Sequence, residues 1–446
     1  MGDSPYLSES AFAGNEALIS LEVLRDWGWL RQEALDDFLA QGQKTASWHS
    51  LAAYKAKILW DMSHDPDLTI PWEPFRAFCE KNAYWLDDYA LFRAVRDFFG
   101  GRCWTEWPED IRHHSREALA QYGRELAGAV SHVKFMQYIF SRQWHDVRAY
   151  AAKNGVSVLG DVPMFVAHNS ADCWAHQDQF DLDEMGNPSS VAGVPPDYFS
   201  ADGQLWGNPL YDYQAMAADN YQWWTDRFRR MMDLVDEVRV DHFRGFAAYW
   251  AVPAGSETAK SGAWKEGPGL DLFRAVYQKI GRLRLVAEDL GVITDDVCTL
   301  KDALHLPGMK VIQFHLKDRA DGRLAFDTEP DCIAYTGTHD NNTIRAGMKT
   351  TCRRASSSTS ARCWACLMKR LRRKSSAPHR LYLPPPGRNG HHPHAGSPGP
   401  AVVGTHEYAR RGGRQLALAA QRRAADLRCR PLAGQGMPRK RTLIKR

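Results

Sequence analysis

Long apolar runs are missing from this 446-residue sequence: none approaches the roughly 18 residues of a membrane-spanning helix, and no charged-then-apolar leader opens it. The 9 cysteines have no regular pairing spacing, which argues against a disulfide framework and makes a reducing, cytoplasmic setting the expectation. Acidic residues are scarce in one stretch only. Residues 346–446 hold 23 Lys and Arg against 2 Asp and Glu, a charge of +21, whereas residues 1–345 hold 34 against 51, a charge of −17. That division ordinarily marks an acidic globular body with a basic, nucleic-acid-binding tail. The acidic part is long enough for one α/β barrel with insertions around a single core.

What is present has a repeating order. Up to about residue 120 the chain is rich in Trp, Phe, Leu and charged residues, with stretches at helical spacing such as Tyr89 to Gly100, which predicts a helical insertion over about 16–125. From Phe135 the helical period runs on to a stop at Asn154-Gly155, and the apolar run Val156 to Gly160 then leads to Asp161. The same rhythm of helix followed by short apolar strand returns at Glu237–Asp241 after 221–235 and at Leu283–Glu288 after 270–280. A further strand at Cys332–Thr336 follows the strand-like Met309–Leu316. Alternating helices and buried strands predict an α/β fold of the (β/α)8 TIM-barrel type, whose chemistry gathers where loops leave the C-terminal strand ends.

Three carboxylates stand at or just past such ends. In Val238-Arg239-Val240-Asp241 the period of two sends the valines to one face and Arg239 with Asp241 to the other. A cation beside Asp241 favours the ionised form that a nucleophile needs; the structural alternative is a strand-end salt bridge. Glu288 follows Leu285, Val286 and Ala287, so apolar surroundings are expected to raise its pKa toward that of a general acid; the alternative is a Glu-Asp pair capping the next helix. His339 and Asp340 follow a glycine-containing strand exit, where the histidine can donate to a hydroxyl and the carboxylate can steady positive charge, unless Asp340 is only a turn residue. A nucleophilic carboxylate paired with a proton-shuttling one is the apparatus of retaining glycosyl chemistry.

In this order and spacing, R-x-D, then E-D-L-G, then T-H-D resembles the α-amylase group of enzymes. Gly193 to Tyr211, GVPPDYFSADGQLWGNPLY, narrows the resemblance to the amylomaltases of glycoside hydrolase family 77, and further matches are GDSPY from Gly2, SAFAGN from Ser10, GDVPMFVA from Gly160, SADCWA from Ser170 and FMQYIFSRQW. The resemblance covers residues 2 to about 345. It implies a 4-α-glucanotransferase acting on maltooligosaccharides and α-1,4-glucans without metal or organic cofactor, and without a nucleic-acid or membrane partner. It further implies Asp241 as nucleophile, Glu288 as acid/base and Asp340 as transition-state stabiliser. Arg239 and His339 would bind near the cleaved bond, and Tyr6, Tyr198 and Trp206 would offer aromatic faces to sugar rings. Asp161 and Asn208 would contact hydroxyls. Asn169 and Asn342 depart from the acidic residues common at those places.

The resemblance stops just after Arg345. Back-translation of Ala346 to Cys352 with one nucleotide restored permits Gly-Trp-Tyr-Glu-Asn-Asp-Leu, and His406 to Ala419 read one base later permits the family's closing N-x-P-G and G-N-W-x-W-R patterns. Residues 346–446 are therefore expected to be frame-shifted, a basic segment whose C-x-x-C at Cys363–Cys366 and histidines at 391, 392 and 394 carry no metal function. Relatives carry a barrel strand and helix ahead of GDSPY, so truncation at the N-terminus is expected as well. The remaining alternatives are a hydrolase of the same fold, an inactive product, and a nucleic-acid binder using the tail.

Overall fold

The structure, a computed structural model, describes residues 4, 6–44, 47–197, 200–312, 316–318, 324–326 and 331–341. Tyr198, Asn342 and the whole 346–446 segment lie outside the described residues.

The first part is helical: α1 (Leu21–Asp26), α2 (Gln32–Lys44), α3 (Trp48–Ser63), α4 (Trp72–Phe98), α5 (Glu109–Arg112), α6 (Arg116–Glu125) and α7 (Ala127–Lys153). Ser20, Ser47 and Ser115 cap α1, α3 and α6 by accepting backbone N–H groups at their first turns. The α7 helix ends where expected, at Asn154 and at Gly155 with its left-handed φ of 68°. It is shared between two cores. Met136 and Ile139 pack with Ile19, Leu21, Leu24 and Leu59 of the helical block, while Val133 joins the larger core. That larger core unites Phe92 and Trp104 of the insertion with Val162, Val238 and Leu285 of the strands, so insertion and barrel bury one another's apolar surface.

The strands and remaining helices follow as β1 (Leu159–Val162), α8 (Ala171–Ala175), β2 (Ser190–Val194), β3 (Gln204–Pro209), α9 (Tyr213–Ala218), α10 (Gln222–Leu234), β4 (Glu237–Val240), β5 (Ala248–Pro253), β6 (Ala263–Glu266), α11 (Gly269–Ile280), β7 (Leu285–Ala287), α12 (Asp295–Leu304), β8 (Gly308–Val311), β9 (Leu316–Asp318), β10 (Leu324–Phe326) and β11 (Cys332–Tyr335). β1, β4 and β7 are parallel neighbours, and β8 pairs in parallel with β11. The Ala287 amide donates to the Pro307 carbonyl at 2.9 Å and joins the two groups into an arc, β1-β4-β7-β8-β11. The α10, α11 and α12 helices lie on the connections between successive strands of the arc, as in a βα barrel. Val238, Val240 and Ala287 are fully buried, as the near-continuous apolar character of parallel strands requires.

Two features differ from the expectation. The first arc strand begins at Leu159, not Val156, because the pairing Leu159↔Glu237 and Asp161↔Arg239 fixes its register; Asp161 is thus inside the strand. And the excursions after β1 and β4 carry strands of their own. β3, β2, β5 and β6 form a four-stranded antiparallel sheet in that order, built from residues 190–209, which overlap the Gly193–Tyr211 signature, and from residues 248–266.

Candidate functional site

Register brings the site together. β1, β4 and β7 pair at Val162↔Val240 and Val240↔Ala287, so the next residue on each of the last two strands, Asp241 and Glu288, leaves the sheet at the same level. The backbone hydrogen bonds agree: the Asp241 amide donates to Val162 O at 2.9 Å and the Glu288 amide to Val240 O at 3.0 Å.

Arg239 is buried on the same side of β4 as Asp241, as alternation requires. One of its terminal nitrogens is 2.7 Å from Asp161 Oδ1 and 2.8 Å from Asp241 Oδ1, and it donates to the Tyr6 hydroxyl at 3.2 Å. The Tyr6 hydroxyl in turn donates to Asp161 Oδ2 at 3.0 Å and lies 3.4 Å from Asp241 Oδ1. One guanidinium thus orients two carboxylates and a phenol, and those carboxylates hold it firmly protonated. Asp241 itself corrects a simple expectation. Burial pushes its carboxyl above the ordinary value; Arg239 pulls it back, but Asp161 and Asp340 add to the rise, so the arginine moderates the shift without reversing it.

Glu288 behaves as its apolar neighbours lead one to expect. Burial, followed by the negative charge of Asp241, pushes it up to about 7 against the downward pull of Arg239 and of two backbone donors. Those donors are the His242 amide at 3.0 Å to Oε2 and the Leu290 amide at 3.0 Å to Oε1. His242 adopts the left-handed region, with φ 48°, an uncommon conformation for a residue with a side chain. It places the amide directly after Asp241 on the carboxylate of Glu288, so a single turn ties the two together.

The capping alternative for Glu288-Asp289 does not describe the structure. Thr294 stands at the N-cap of α12, and Asp289 turns the other way: its Oδ1 accepts the Met309 amide at 2.8 Å and its Oδ2 pairs with Lys301 at 2.7 Å, tying β7 to β8 and α12. After β11, Asn341 Oδ1 accepts from the Thr338 amide at 2.7 Å and forms a turn that presents His339 and Asp340. His339 Nε2 is 3.2 Å from Asp340 Oδ1, and the imidazole meets the Tyr6 ring edge-on at 5.1 Å.

The structure therefore assembles Tyr6, Asp161, Arg239, Asp241, Glu288, His339 and Asp340. Trp206 joins from β3, its ring 4.8 Å from that of His242. Asn208, also on β3, is buried and donates its side-chain amide to Val166 O at 2.8 Å, a hydrogen bond within the fold that does not bring it to the carboxylates. His242 was not singled out from sequence, and Asp289 was considered only as half of a capping pair with Glu288. Direct adjacency to Asp241 and Glu288 was the only available sign of either. Burial brings the His242 imidazole down to about 3, which keeps it neutral beside Trp206. Among the described residues no group of three or more His, Cys, Asp or Glu side chains is placed to hold a metal ion, and no helix is long and apolar enough to cross a membrane.

Comparison with known proteins points the same way. The family model described as 4-alpha-glucanotransferase matches residues 1–381. The 4-alpha-glucanotransferase of Synechocystis is 43% identical over 350 residues, covering 77% of this chain and 69% of its own, and that of Thermus thermophilus is 42% identical over 356 residues, covering 78% and 70%. The chloroplastic/amyloplastic 4-alpha-glucanotransferase of potato is 42% identical over 77% of this chain and 60% of its own. Among solved structures, the amylomaltase of Streptococcus agalactiae in complex with acarbose superposes with a TM-score of 0.73 at 30% identity, over 84% of this chain and 75% of that one. On a family match across most of its length, and on relatives above 40% identity over more than two thirds of their own chains, this chain belongs to the 4-alpha-glucanotransferase family, glycoside hydrolase family 77.

Proposed function

We propose that the protein transfers segments of α-1,4-glucan between glucan chains by a retaining double displacement at Asp241 and Glu288. The observation that carries this reading is the shared register level of the two carboxylates on adjacent parallel strands. Neighbouring strands lie about 4.8 Å apart, which suits the roughly 5 to 5.5 Å between carboxyl groups of a retaining pair.

In the first step the Asp241 carboxylate attacks the anomeric carbon. The bond from that carbon to the bridging oxygen breaks, and Glu288 gives its proton to that oxygen, which departs as the 4-hydroxyl of the leaving chain. In the second step the 4-hydroxyl of an acceptor glucan attacks the glucosyl ester and gives its proton back to Glu288, and Asp241 leaves as carboxylate. Glu288, pushed up to about 7, is divided between its two forms near neutral pH, as a group that donates and then recovers a proton requires. Arg239, paired with both Asp161 and Asp241, orients the nucleophile, and Asp340 supplies negative charge opposite the oxocarbenium-like transition state. Tyr6, His339 and Trp206 border the reacting sugar, and Tyr198 is assigned a similar aromatic role by family resemblance alone. Asp161 remains a candidate hydroxyl contact beyond its pairing with Arg239, and Asn208 is a weaker one.

Transfer differs from hydrolysis in which hydroxyl resolves the ester. Incubation with maltotriose is expected to give glucose together with maltopentaose and longer chains, with little increase in total reducing ends. Glucose and maltose with a steady rise in reducing ends identifies a hydrolase and overturns the transferase reading.

We further propose that residues 1–345 form the catalytic unit of a cytoplasmic enzyme and that residues 346–446 are read out of frame. The change in composition after Arg345 supports this reading, while the family model's match runs on to residue 381. Resequencing of codons 340–352 is expected to restore one nucleotide; an unchanged reading, together with DNA binding by the intact chain that weakens steeply with salt, supports the nucleic-acid alternative instead.

A further inference from the structure

One residue beside the nucleophile is engaged on two sides. His242 gives its amide to Glu288 Oε2 at 3.0 Å, while its imidazole meets the Trp206 indole edge-on with the ring centres 4.8 Å apart. Phe165 closes the group, its ring 6.4 Å from each of the other two. The imidazole has little room to retreat, because a Cβ at Gly245 would run into Met164 and stand 3.0 Å from His242 Cδ2. The ring is also uncharged at working pH: burial, followed by the Arg244 guanidinium, brings it down to about 3. The Trp206 indole is half-buried and its N–H is taken by Gln204 Oε1 at 3.1 Å, so what it offers a bound sugar is its ring.

We infer that His242 is a positioning residue whose imidazole, acting through Trp206, decides whether an acceptor glucan or water resolves the glucosyl ester. The inference rests on the two-step transfer proposed above. In that reaction Glu288 serves both the oxygen that leaves and the hydroxyl that enters. The amide on Glu288 and the imidazole against Trp206 belong to one residue, so Trp206 is fixed on the side of the site where Glu288 works. Acceptor glucan and water compete on that side. An indole held in place presents an ordered apolar surface to the C–H face of an incoming sugar and keeps water from the ester, whereas an indole free to turn must be ordered by the acceptor itself. A role confined to packing has a different signature: loss of the ring then lowers stability and overall rate and leaves the choice of acceptor untouched.

His242→Gly and His242→Asn both suit the φ of 48° at this position, so each removes the imidazole and leaves the amide on Glu288. With maltotriose as the only substrate, net new reducing ends measure hydrolysis and chains longer than maltotriose measure transfer. The ratio of hydrolysis to transfer is expected to rise about two- to tenfold in both variants, the size of one aromatic pair contact. The basic limb of the pH profile, set by Glu288 in the presence of Asp241 and Arg239, is expected to stay in place because the amide donor remains. Trp206→Leu should raise the ratio likewise, and His242→Asn added to it should raise it little further, since both changes remove the same contact. Folded His242 variants that lose rate but keep the parental ratio overturn the inference. So does Trp206→Leu with a parental ratio, a result that needs no change at residue 242. A full further rise from His242→Asn on top of Trp206→Leu, or a basic limb that moves together with the ratio, places the effect elsewhere than in Trp206 and overturns it as well. A parent protein that only hydrolyses maltotriose overturns the proposed function and this inference with it, whereas a parent that transfers beside variants of unchanged ratio overturns this inference alone.

Discussion

Asp241→Asn is expected to lower transfer from maltotriose by at least about 10⁴-fold, the scale on which a covalent nucleophile's removal is felt, or about 5.5 kcal/mol of barrier. The change is close to isosteric and leaves Arg239 its pair with Asp161, so the folded structure should persist and the melting temperature should move by only a few degrees. An amide is too weak a nucleophile to form the glucosyl ester, and the second step then has nothing to resolve. A trapped covalent adduct on the parent protein, sought by mass spectrometry after a rapid acid quench, should map to the peptide containing Asp241. Normal transfer by the variant, or an adduct on another peptide, removes the assignment. Removing the charge also withdraws the second-largest upward influence on Glu288, so its apparent pKa should fall in the variant.

Glu288→Gln should cost about 10² to 10⁴ in kcat on maltotriose, the usual worth of a positioned general acid. A glucan fluoride, whose leaving group departs without a proton, should lose far less in the first step. A structural role for Glu288 predicts equal losses on both substrates, and that equality counts against the acid assignment. The pH profile supplies a second check. Glu288 must carry its proton to donate it, and its pKa is pushed up to about 7, so kcat/KM of the parent protein should fall about tenfold per pH unit above that value. Asp241 must be ionised to attack. Its raised pKa therefore lifts the acid limb above that of an ordinary aspartate. With the fluoride substrate and the Glu288→Gln variant the basic limb should vanish.

The parts of this site that could be read from sequence are those set by neighbours along the chain. Alternation alone placed Arg239 beside Asp241, and three apolar residues before Glu288 were enough to give the direction of its shift. Helix α7 stopped at Asn154-Gly155 because a left-handed glycine is a local device. What escaped was set by partners far away in sequence. The start of β1 was read three residues early because its register comes from β4, about 80 residues on. The antiparallel sheet was missed because β2 pairs with β5 across some 60 residues, and its strands lack clean alternation. The left-handed turn at His242 has no signature of its own, since its amide donates to the carboxylate of Glu288, 46 residues further on. Asp289 was read with Glu288 as one pair, whereas each serves a different strand.

The antiparallel sheet has a mechanical consequence. β2 and β3 belong to the excursion between β1 and β4, and β5 and β6 to the one between β4 and β7, yet the four strands are hydrogen-bonded as one body. The two crossings of the barrel rim are therefore not independent hinges. Swinging one outward either carries the other along or tears the ladder from Ser190↔Pro253 to Gly193↔Trp250, and Trp206 would leave His242, the residue next to Asp241, in the same stroke. Insertions tolerated in one crossing are therefore constrained by the geometry of the other.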